Sequence, residues 1–151
     1  MKVKFCPAWA GPNIAKSFKS KDAYALLEEY VRRIDCFDRC SVSQMGNIQD
    51  SRAKLWLCHT SKSSKILSSE ELAKALQNLR NSGAKELHIA IGPADGFSRE
   101  QVETLKPDLL WSFGPMTLPH ELAAVVAAEQ IYRAYAIIHH LPYHSGHLRL
   151  T

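Results

Sequence analysis

Apolar residues along the chain follow two different spacings, which predict strands that alternate with helices. Residues 3–6 and 109–113 form short apolar runs typical of strands. Residues 54–59 and 87–91 form runs typical of strands that are buried on both faces. Residues 22–34 repeat apolar side chains at the spacing of an amphipathic helix. Strands that alternate with helices toward the C-terminus indicate an α/β fold with a mainly parallel sheet.

Capping and turn residues predict where several of these elements begin and end. Ser68, followed three residues later by Glu71, forms a capping box that predicts a helix ending at Gly83. Ser98 predicts the start of a second, shorter helix. The stretch after the first helix is poorly patterned, and only residues 41–43 favour a strand there.

The longest predicted helix starts at Pro119, because proline favours the first helical position, and runs to about His140. Its apolar residues surround nearly the whole circumference. Such a helix is buried either in a core or against another subunit. We expect a second copy of the chain to cover its outer side, with Ala124 and Val126 at that interface.

The composition favours one domain over residues 1–151, with 46% hydrophobic residues. The longest apolar stretch is far shorter than the roughly 20 residues that cross a bilayer, so we expect no membrane span. No apolar block follows the basic N-terminus, so we also expect no secretory leader. The four scattered cysteines suit free thiols in a reducing cytoplasm. A net charge of +4 allows an anionic partner without requiring one.

Three predicted strand ends carry small or irregular residues. They are residues 59–60 with the polar, Ser-rich turn 61–65, residues 92–96, and residues 114–118. Ligands of open α/β sheets bind beyond the carboxyl ends of the strands, and glycine lets them approach the backbone closely. Because neighbouring parallel strands end side by side, these turns converge on one pocket. Residues 92–96 match no phosphate-binding motif, which favours a neutral or cationic ligand over a nucleoside triphosphate.

Other reactive side chains favour structural roles. Four histidines cluster near the C-terminus, but their spacing matches no zinc motif, so we expect no metal. Cys58 beside His59 is typical of strand packing, and His88 of a core histidine with satisfied hydrogen bonds. Two tryptophans lie in predicted strands and belong to the core, whereas Trp9, beside glycine and proline, is expected to be exposed.

Several longer segments resemble one known family. Residues 91–98 read Ile-Gly-Pro-Ala-Asp-Gly-Phe-Ser, and residues 116–120 read Met-Thr-Leu-Pro-His. Residues 129–135 read Glu-Gln-Ile-Tyr-Arg-Ala-Tyr, and residues 142–144 read Pro-Tyr-His. Together they resemble the RlmH family, SPOUT-class methyltransferases of large-subunit ribosomal RNA. The resemblance covers the chain from about residue 55 to residue 144.

The resemblance implies a SPOUT-type α/β knot, a mainly parallel sheet flanked by helices with a C-terminal trefoil knot. It implies a cytoplasmic homodimer that binds S-adenosylmethionine (SAM) in the knot and methylates N3 of a pseudouridine in 23S ribosomal RNA. It implies neither a metal ion nor a membrane partner. By position, the cofactor contacts fall at eight residues. These are Thr60, Gly92, Phe113, Gly114, Pro115, Met116, Thr117 and Leu118.

The resemblance also implies that the end of the chain contributes to catalysis. Tyr143 would position the target base, and His144 would accept a proton or contact RNA. The arginine that follows in the family is Ser145 here, so Arg149 or His147 would supply the missing cation.

Basic residues are candidates for RNA phosphate contacts, whereas Arg133 pairs with Glu129 and is expected to be structural. The candidates are Lys62, Lys65 and Arg149, together with the early Lys2, Lys4, Lys16, Lys19 and Lys21. Ser145 at the family's arginine position and an N-terminal half that departs from the family pattern leave two alternatives open, in that order. One is a non-catalytic RNA- or ribosome-binding knot protein, and the other is a SPOUT methyltransferase with a different RNA target.

Overall fold

The computed structural model describes residues 1–46, 48 and 50–144. Its centre is a six-stranded sheet in the order β2-β1-β5-β3-β6-β4, and every strand pair is parallel. The strands are β1 (Lys2–Pro7), β2 (Cys40–Val42), β3 (Ala53–Cys58), β4 (Lys65–Ile66), β5 (Glu86–Ile91) and β6 (Leu109–Ser112). The parallel α/β fold class is therefore confirmed, whereas the trefoil knot stays a prediction.

Four helices connect the strands, and their first turns carry side-chain caps where the sequence predicted them. They are α1 (Lys21–Asp35), α2 (Ser69–Asn81), α3 (Arg99–Leu105) and α4 (His120–Ile138). Ser68 and Glu71 form the capping box of α2, and Ser98 with Gln101 forms another on α3. Two short 3₁₀ turns, Ala15–Ser17 and Pro142–His144, precede α1 and follow α4.

The main core lies between one face of the sheet and helices α1, α2 and α4. Strand side chains alternate between faces, so Leu87 and Ile89 of β5 point toward these helices while Ala90 points away. Phe97 and the apolar side of α3 cover part of the opposite face. Trp56 and Trp111 are buried in the main core, as predicted. No helix among the described residues is both long and apolar enough to cross a membrane.

The structure corrects two predictions about α4. Pro119 is its N-cap and lies outside the first helical turn. Ala124 is fully buried inside the chain, so the prediction that it lies at an intersubunit surface is wrong. The helix packs between α1 and α2, and its small alanine side chains let it approach them closely. Leu122 is exposed and Val126 is half-buried, so a narrower stripe through these two residues faces outward.

The turn predicted for residues 61–65 ends in a short strand. Lys65 and Ile66 form β4, which extends the sheet by pairing with Trp111 and Ser112 of β6. A two-residue strand has no detectable alternation, so its sequence reads as part of a turn.

Candidate functional site

A cavity of about 310 Å³ opens at the carboxyl ends of β3, β5 and β6. Its walls are the loops that follow these strands, together with the start of α4. The prediction that three strand ends converge on one pocket is therefore confirmed. Seven of the eight expected cofactor residues line the cavity: Thr60, Gly92, Phe113, Pro115, Met116, Thr117 and Leu118.

Gly114 is the one expected cofactor residue that does not line the cavity. It is buried, and its positive φ of 107° favours glycine. Its backbone N–H donates to Ser112 Oγ over 3.2 Å. Gly114 therefore shapes the turn from which its neighbours reach the cavity.

Gly92 allows two parts of the β5 loop to approach closely. A Cβ atom at this position would lie 3.2 Å from Gly96 Cα and 3.2 Å from Phe97 Cδ2. Carbon atoms pack best at about 3.5–4.0 Å, so any side chain would push this loop. The absence of a side chain at Gly92 thus keeps one wall of the cavity in place.

The cavity combines aromatic walls with an acidic rim. Phe113 contacts Trp111 edge to face, with 4.9 Å between ring centroids, and both line the cavity. Asp95 contributes a carboxylate, while no lysine or arginine is found among the described lining residues. Burial raises the pKa of the Cys58 thiol, so this lining residue stays protonated and neutral. The cavity therefore suits a flat ring and a cationic group better than a polyphosphate.

On the side of α4, the cavity is lined by a histidine whose ring packs against the segment before α1. His120 lines the cavity and meets the Trp9 ring edge to face, with 4.5 Å between centroids. The prediction that Trp9 is exposed is wrong, because its ring is half-buried between His120 and Phe18. Within the described residues, its buried Nε1 has no hydrogen-bond partner.

Glu121 holds that segment in position. Its buried carboxylate accepts the backbone N–H of Lys19 over 2.8 Å and that of Ser20 over 2.9 Å. Burial alone would raise the pKa of Glu121, but these two hydrogen bonds outweigh it and lower the pKa. Sequence reasoning missed this residue, because its partners lie about a hundred positions away. A glutamate at the start of an apolar helix was the available signal.

A second cavity of about 180 Å³ lies beside the first and shares Trp111 and Phe113 with it. Ile66 of β4 and the following Leu67 line one side of it, and Val126 and Gln130 of α4 line the other. It extends the site toward the outward stripe of α4.

Tyr143 and His144, the expected catalytic residues, are held in a polar network on the far part of α4. The Tyr143 hydroxyl donates to Glu129 Oε1 over 3.0 Å. Arg133 Nη1 lies 3.0 Å from His144 Nδ1, and Glu70 Oε1 lies 2.7 Å from His144 Nε2. Because a guanidinium only donates, Nδ1 accepts and Nε2 carries the proton given to Glu70. Both ring nitrogens of His144 are therefore engaged.

This network does not reach the main cavity within one chain, since neither Tyr143 nor His144 lines it. Burial, with the Tyr30 and Glu129 contacts, raises the pKa of the Tyr143 hydroxyl, which stays protonated. The predicted pair of Glu129 and Arg133 is confirmed, with 2.7 Å between Oε1 and Nη2.

Exposed lysines lie on two segments that adjoin the cavity lining. Lys62 and Lys65 follow the lining residue Thr60. Lys16, Lys19 and Lys21 lie on the segment that Glu121 attaches to α4. Within the described part of the chain, none of these five lysines forms an ion pair. Lys4 instead pairs with Glu86, over 3.4 Å between Nζ and Oε1, and His88 bonds the same carboxylate.

Three further residues named from the sequence fall at the end of the chain. Arg149, His147 and Ser145 lie outside the described residues. Among residues 1–46, 48 and 50–144, no group of histidine, cysteine, aspartate or glutamate side chains is arranged to hold a metal ion.

Comparisons with known proteins point to methyltransferases. The family model described as "Predicted SPOUT methyltransferase" matches residues 14–144. A relative from Koribacter versatilis, named Ribosomal RNA large subunit methyltransferase H, is 49% identical over 83 residues, which cover 55% of this chain and 56% of the relative. The protein of that name from Psychrobacter sp. (strain PRwf-1) is 42% identical over 97 residues, covering 64% of this chain and 57% of the relative.

The chain spans about half the length of the curated relatives it matches. Among solved structures, a methyltransferase from Legionella pneumophila with bound SAM superposes with a TM-score of 0.44. It is 15% identical in sequence, and the match covers 89% of this chain and 66% of that protein.

Proposed function

The chain belongs to the SPOUT methyltransferase family, and from this premise we propose that it transfers a methyl group from SAM to N3 of a pseudouridine in 23S ribosomal RNA. The observation that carries the proposal is the cavity at three parallel strand ends, lined by seven of the residues that the RlmH resemblance assigns to the cofactor. The name of the curated relatives, a large-subunit ribosomal RNA methyltransferase, supports the substrate class.

The chemistry of the cavity fits SAM. This cofactor combines a flat purine, a ribose and a positively charged sulfonium, and it supplies a methyl group already activated for transfer. Trp111 and Phe113 offer aromatic surface, and Asp95 offers a negative charge near the cation. We infer that the lining loops hold the cofactor, with Gly92 and Gly114 keeping them in shape.

The protein's own task is mainly alignment. An in-line transfer requires the target nitrogen and the methyl carbon to be held at contact distance. Binding both reactants in this geometry removes much of the entropic barrier to the reaction. The loops after β3, β5 and β6 orient one reactant and keep water from its reactive side. The basic residues at the mouth orient the RNA.

We propose that a second copy of the chain completes the site. Leu122 and Met116 are exposed apolar residues near the cavity, and Val126 lines the adjoining second cavity. Covering this stripe with a second copy would bury it and would place the partner's Tyr143 and His144 near the cofactor. The separation of these two residues from the cavity within one chain supports this arrangement.

The dimer has a direct test. Val126→Glu places a charge on the outward stripe and is expected to give folded monomers that bind SAM at least tenfold more weakly, as measured by analytical ultracentrifugation and calorimetry. Ala124→Glu, buried inside the chain, is expected to unfold the protein instead. A Val126→Glu variant that stays dimeric would refute this interface.

We propose that the lysines at the mouth contact RNA phosphates. Each lost phosphate contact lowers the slope of log affinity against log salt concentration by about 1. Lys62→Ala and Lys65→Ala are therefore expected to weaken RNA binding and flatten its salt dependence. Lys85→Ala is the matched control, because Lys85 is exposed at the amino end of β5, whereas the cavity lies at its carboxyl end. We place the reaction in the cytoplasm, where a ribosomal RNA substrate resides.

Calorimetry with SAM, followed by methyl transfer to ribosomes, tests the proposed function. We expect saturable SAM binding and methyl incorporation into large-subunit RNA. No binding at millimolar SAM would overturn the enzyme assignment. Binding without methyl incorporation would favour a non-catalytic RNA-binding protein, and incorporation at another nucleotide would favour a different RNA target.

A further inference from the structure

His120 is the histidine of the cavity whose ring is fixed by its neighbours. It is the first residue of α4, and about a quarter of its side chain (26%) is exposed, so a ligand can reach it. Trp9 meets its ring at right angles over 4.5 Å. Glu121 Oε2 lies 3.8 Å from its Nε2, beyond hydrogen-bonding distance.

The ring nitrogens of His120 are available to a ligand. Among the described contacts, neither nitrogen takes part in a hydrogen bond. His144 differs, because its two nitrogens bond Arg133 and Glu70. Tyr143 donates its proton to Glu129 and offers no basic group. Unlike Tyr143 and His144, His120 combines a place in the cavity wall with a free lone pair.

The surroundings of His120 suit a group that gains a proton. The Glu121 carboxylate next to it is held by two backbone N–H groups, which keep it ionised. A fixed negative charge beside an imidazole stabilises the imidazolium that forms when the ring accepts a proton. The other titratable groups facing the cavity are His59 and Asp95, together with the buried thiol of Cys58. No described contact fixes the His59 ring as Trp9 fixes that of His120.

We propose that His120 is the proton acceptor of the methyl transfer, with Trp9 and Glu121 as its positioning residues. This inference rests on the proposed function. The proton on the pseudouridine N3 passes to an imidazole nitrogen of His120. The electron pair on N3 then forms the bond to the methyl carbon, and the pair of the breaking carbon–sulfur bond stays on sulfur. The sulfonium charge is thereby lost, and the ring carries the positive charge.

The test compares His120→Gln with wild type over a range of pH. Glutamine keeps polar atoms at this position but cannot act as a base at neutral pH. General bases contribute about 10²–10⁴-fold, so the rate at pH 7 is expected to fall within that range. SAM affinity should change less than threefold. The remaining rate should rise with pH as the target N–H ionises in solution, and imidazole added to His120→Ala should restore part of the activity.

Two further variants separate this role from general effects on the fold. His139→Gln is the matched control, because His139 follows the opposite end of α4, about 28 Å along the helix axis. It is expected to keep wild-type rates. Trp9→Phe keeps an aromatic edge near His120 and should retain more activity than Trp9→Ala, which frees the ring.

Nuclear magnetic resonance gives a readout that does not depend on turnover. The imidazole ¹⁵N signals of His120, assigned by their loss in His120→Gln, are expected to shift when SAM fills the cavity. Unchanged signals at saturating SAM would contradict the placement of this ring at the cofactor site.

The outcomes distinguish the two proposals. Wild-type protein that binds SAM but methylates no ribosomal RNA would overturn the proposed function and this inference with it. Active wild type with an equally active His120→Gln variant would overturn this inference alone. A loss in His120→Gln that is the same at every pH and is not restored by imidazole would also overturn it. The pH signature appearing in His59→Gln instead would assign the role to His59.

Discussion

Gly92→Ala is the substitution that examines the cavity wall most directly. The residue is buried at the end of β5, and its φ is compatible with any amino acid, so the effect comes from space alone. The added methyl group would lie 3.2 Å from Gly96 Cα, 3.3 Å from Gly96 C and 3.2 Å from Phe97 Cδ2. Two of these three atoms belong to the backbone and cannot rotate away.

The expected size of the effect follows from these distances. Each contact is about 0.2–0.8 Å shorter than the optimum for carbon atoms, so the loop of residues 92–97 must move outward. Inserting a methyl group into packed surroundings costs about 1–3 kcal/mol. We expect a loss of about 1–2 kcal/mol in the free energy of unfolding. Because the same loop lines the cavity, SAM affinity should fall at least tenfold.

Urea unfolding and calorimetry with SAM measure the two effects of Gly92→Ala. Gly11→Ala is the matched control, since a Cβ atom there meets nothing within 4 Å and the residue lies outside the cavity lining. It should change both quantities very little. A Gly92→Ala protein that binds SAM as tightly as wild type would refute the assignment of this loop to the cofactor site.

Three further expectations concern the polar contacts and the thiols. Glu129→Gln removes the carboxylate that binds Arg133 and Tyr143, and should lower the free energy of unfolding by about 2 kcal/mol in urea titrations. The control Glu28→Gln removes one partner of an exposed ion pair and should lower it by less than about 0.5 kcal/mol. Equal losses in the two variants would contradict this difference in burial. The pKa of Glu121 in the folded protein lies below its ordinary 4.5, so the ionised carboxylate stabilises the fold above that pH, and this stabilisation is lost as the pH falls through the pKa of the folded state. Glu121→Gln should therefore flatten the acid side of a plot of unfolding free energy against pH. An unchanged plot would refute this linkage. Cys36 is exposed and should react with a thiol reagent well before Cys58, whose burial raises its pKa. Bound SAM should slow the reaction of Cys58 further. Equal rates of modification of the two thiols, followed by mass spectrometry, would contradict the packing.

Local signals in the sequence were sufficient for most elements of the fold. The capping boxes at Ser68 and Ser98 lie within four residues of their partners, so the sequence alone identifies both helix starts. The three loops of the cavity were also predictable, because the carboxyl ends of parallel strands lie side by side. Glycine and proline mark the ends of β5 and β6, and a Ser-rich turn marks the end of β3.

The long-range contacts were not predictable from sequence. Glu121 bonds backbone groups about a hundred residues away. The neighbouring His120 packs against Trp9, which its glycine and proline neighbours had suggested to be exposed. Ala124 shows the same limit. The sequence pattern of an apolar helix position is the same whether helices of its own chain, here α1 and α2, or a second chain covers it. The two-residue strand β4 is too short to show a period.

Methyl transfer from SAM to intact ribosomes that lack this modification tests the central claim most directly. We predict that the wild-type protein methylates one nucleotide of the large-subunit RNA and that mass spectrometry places the methyl group on N3 of a pseudouridine. At subsaturating SAM, Gly92→Ala should lower the rate of methyl transfer at least tenfold. Ribosomes that gain no methyl group from a protein saturated with SAM would contradict the account.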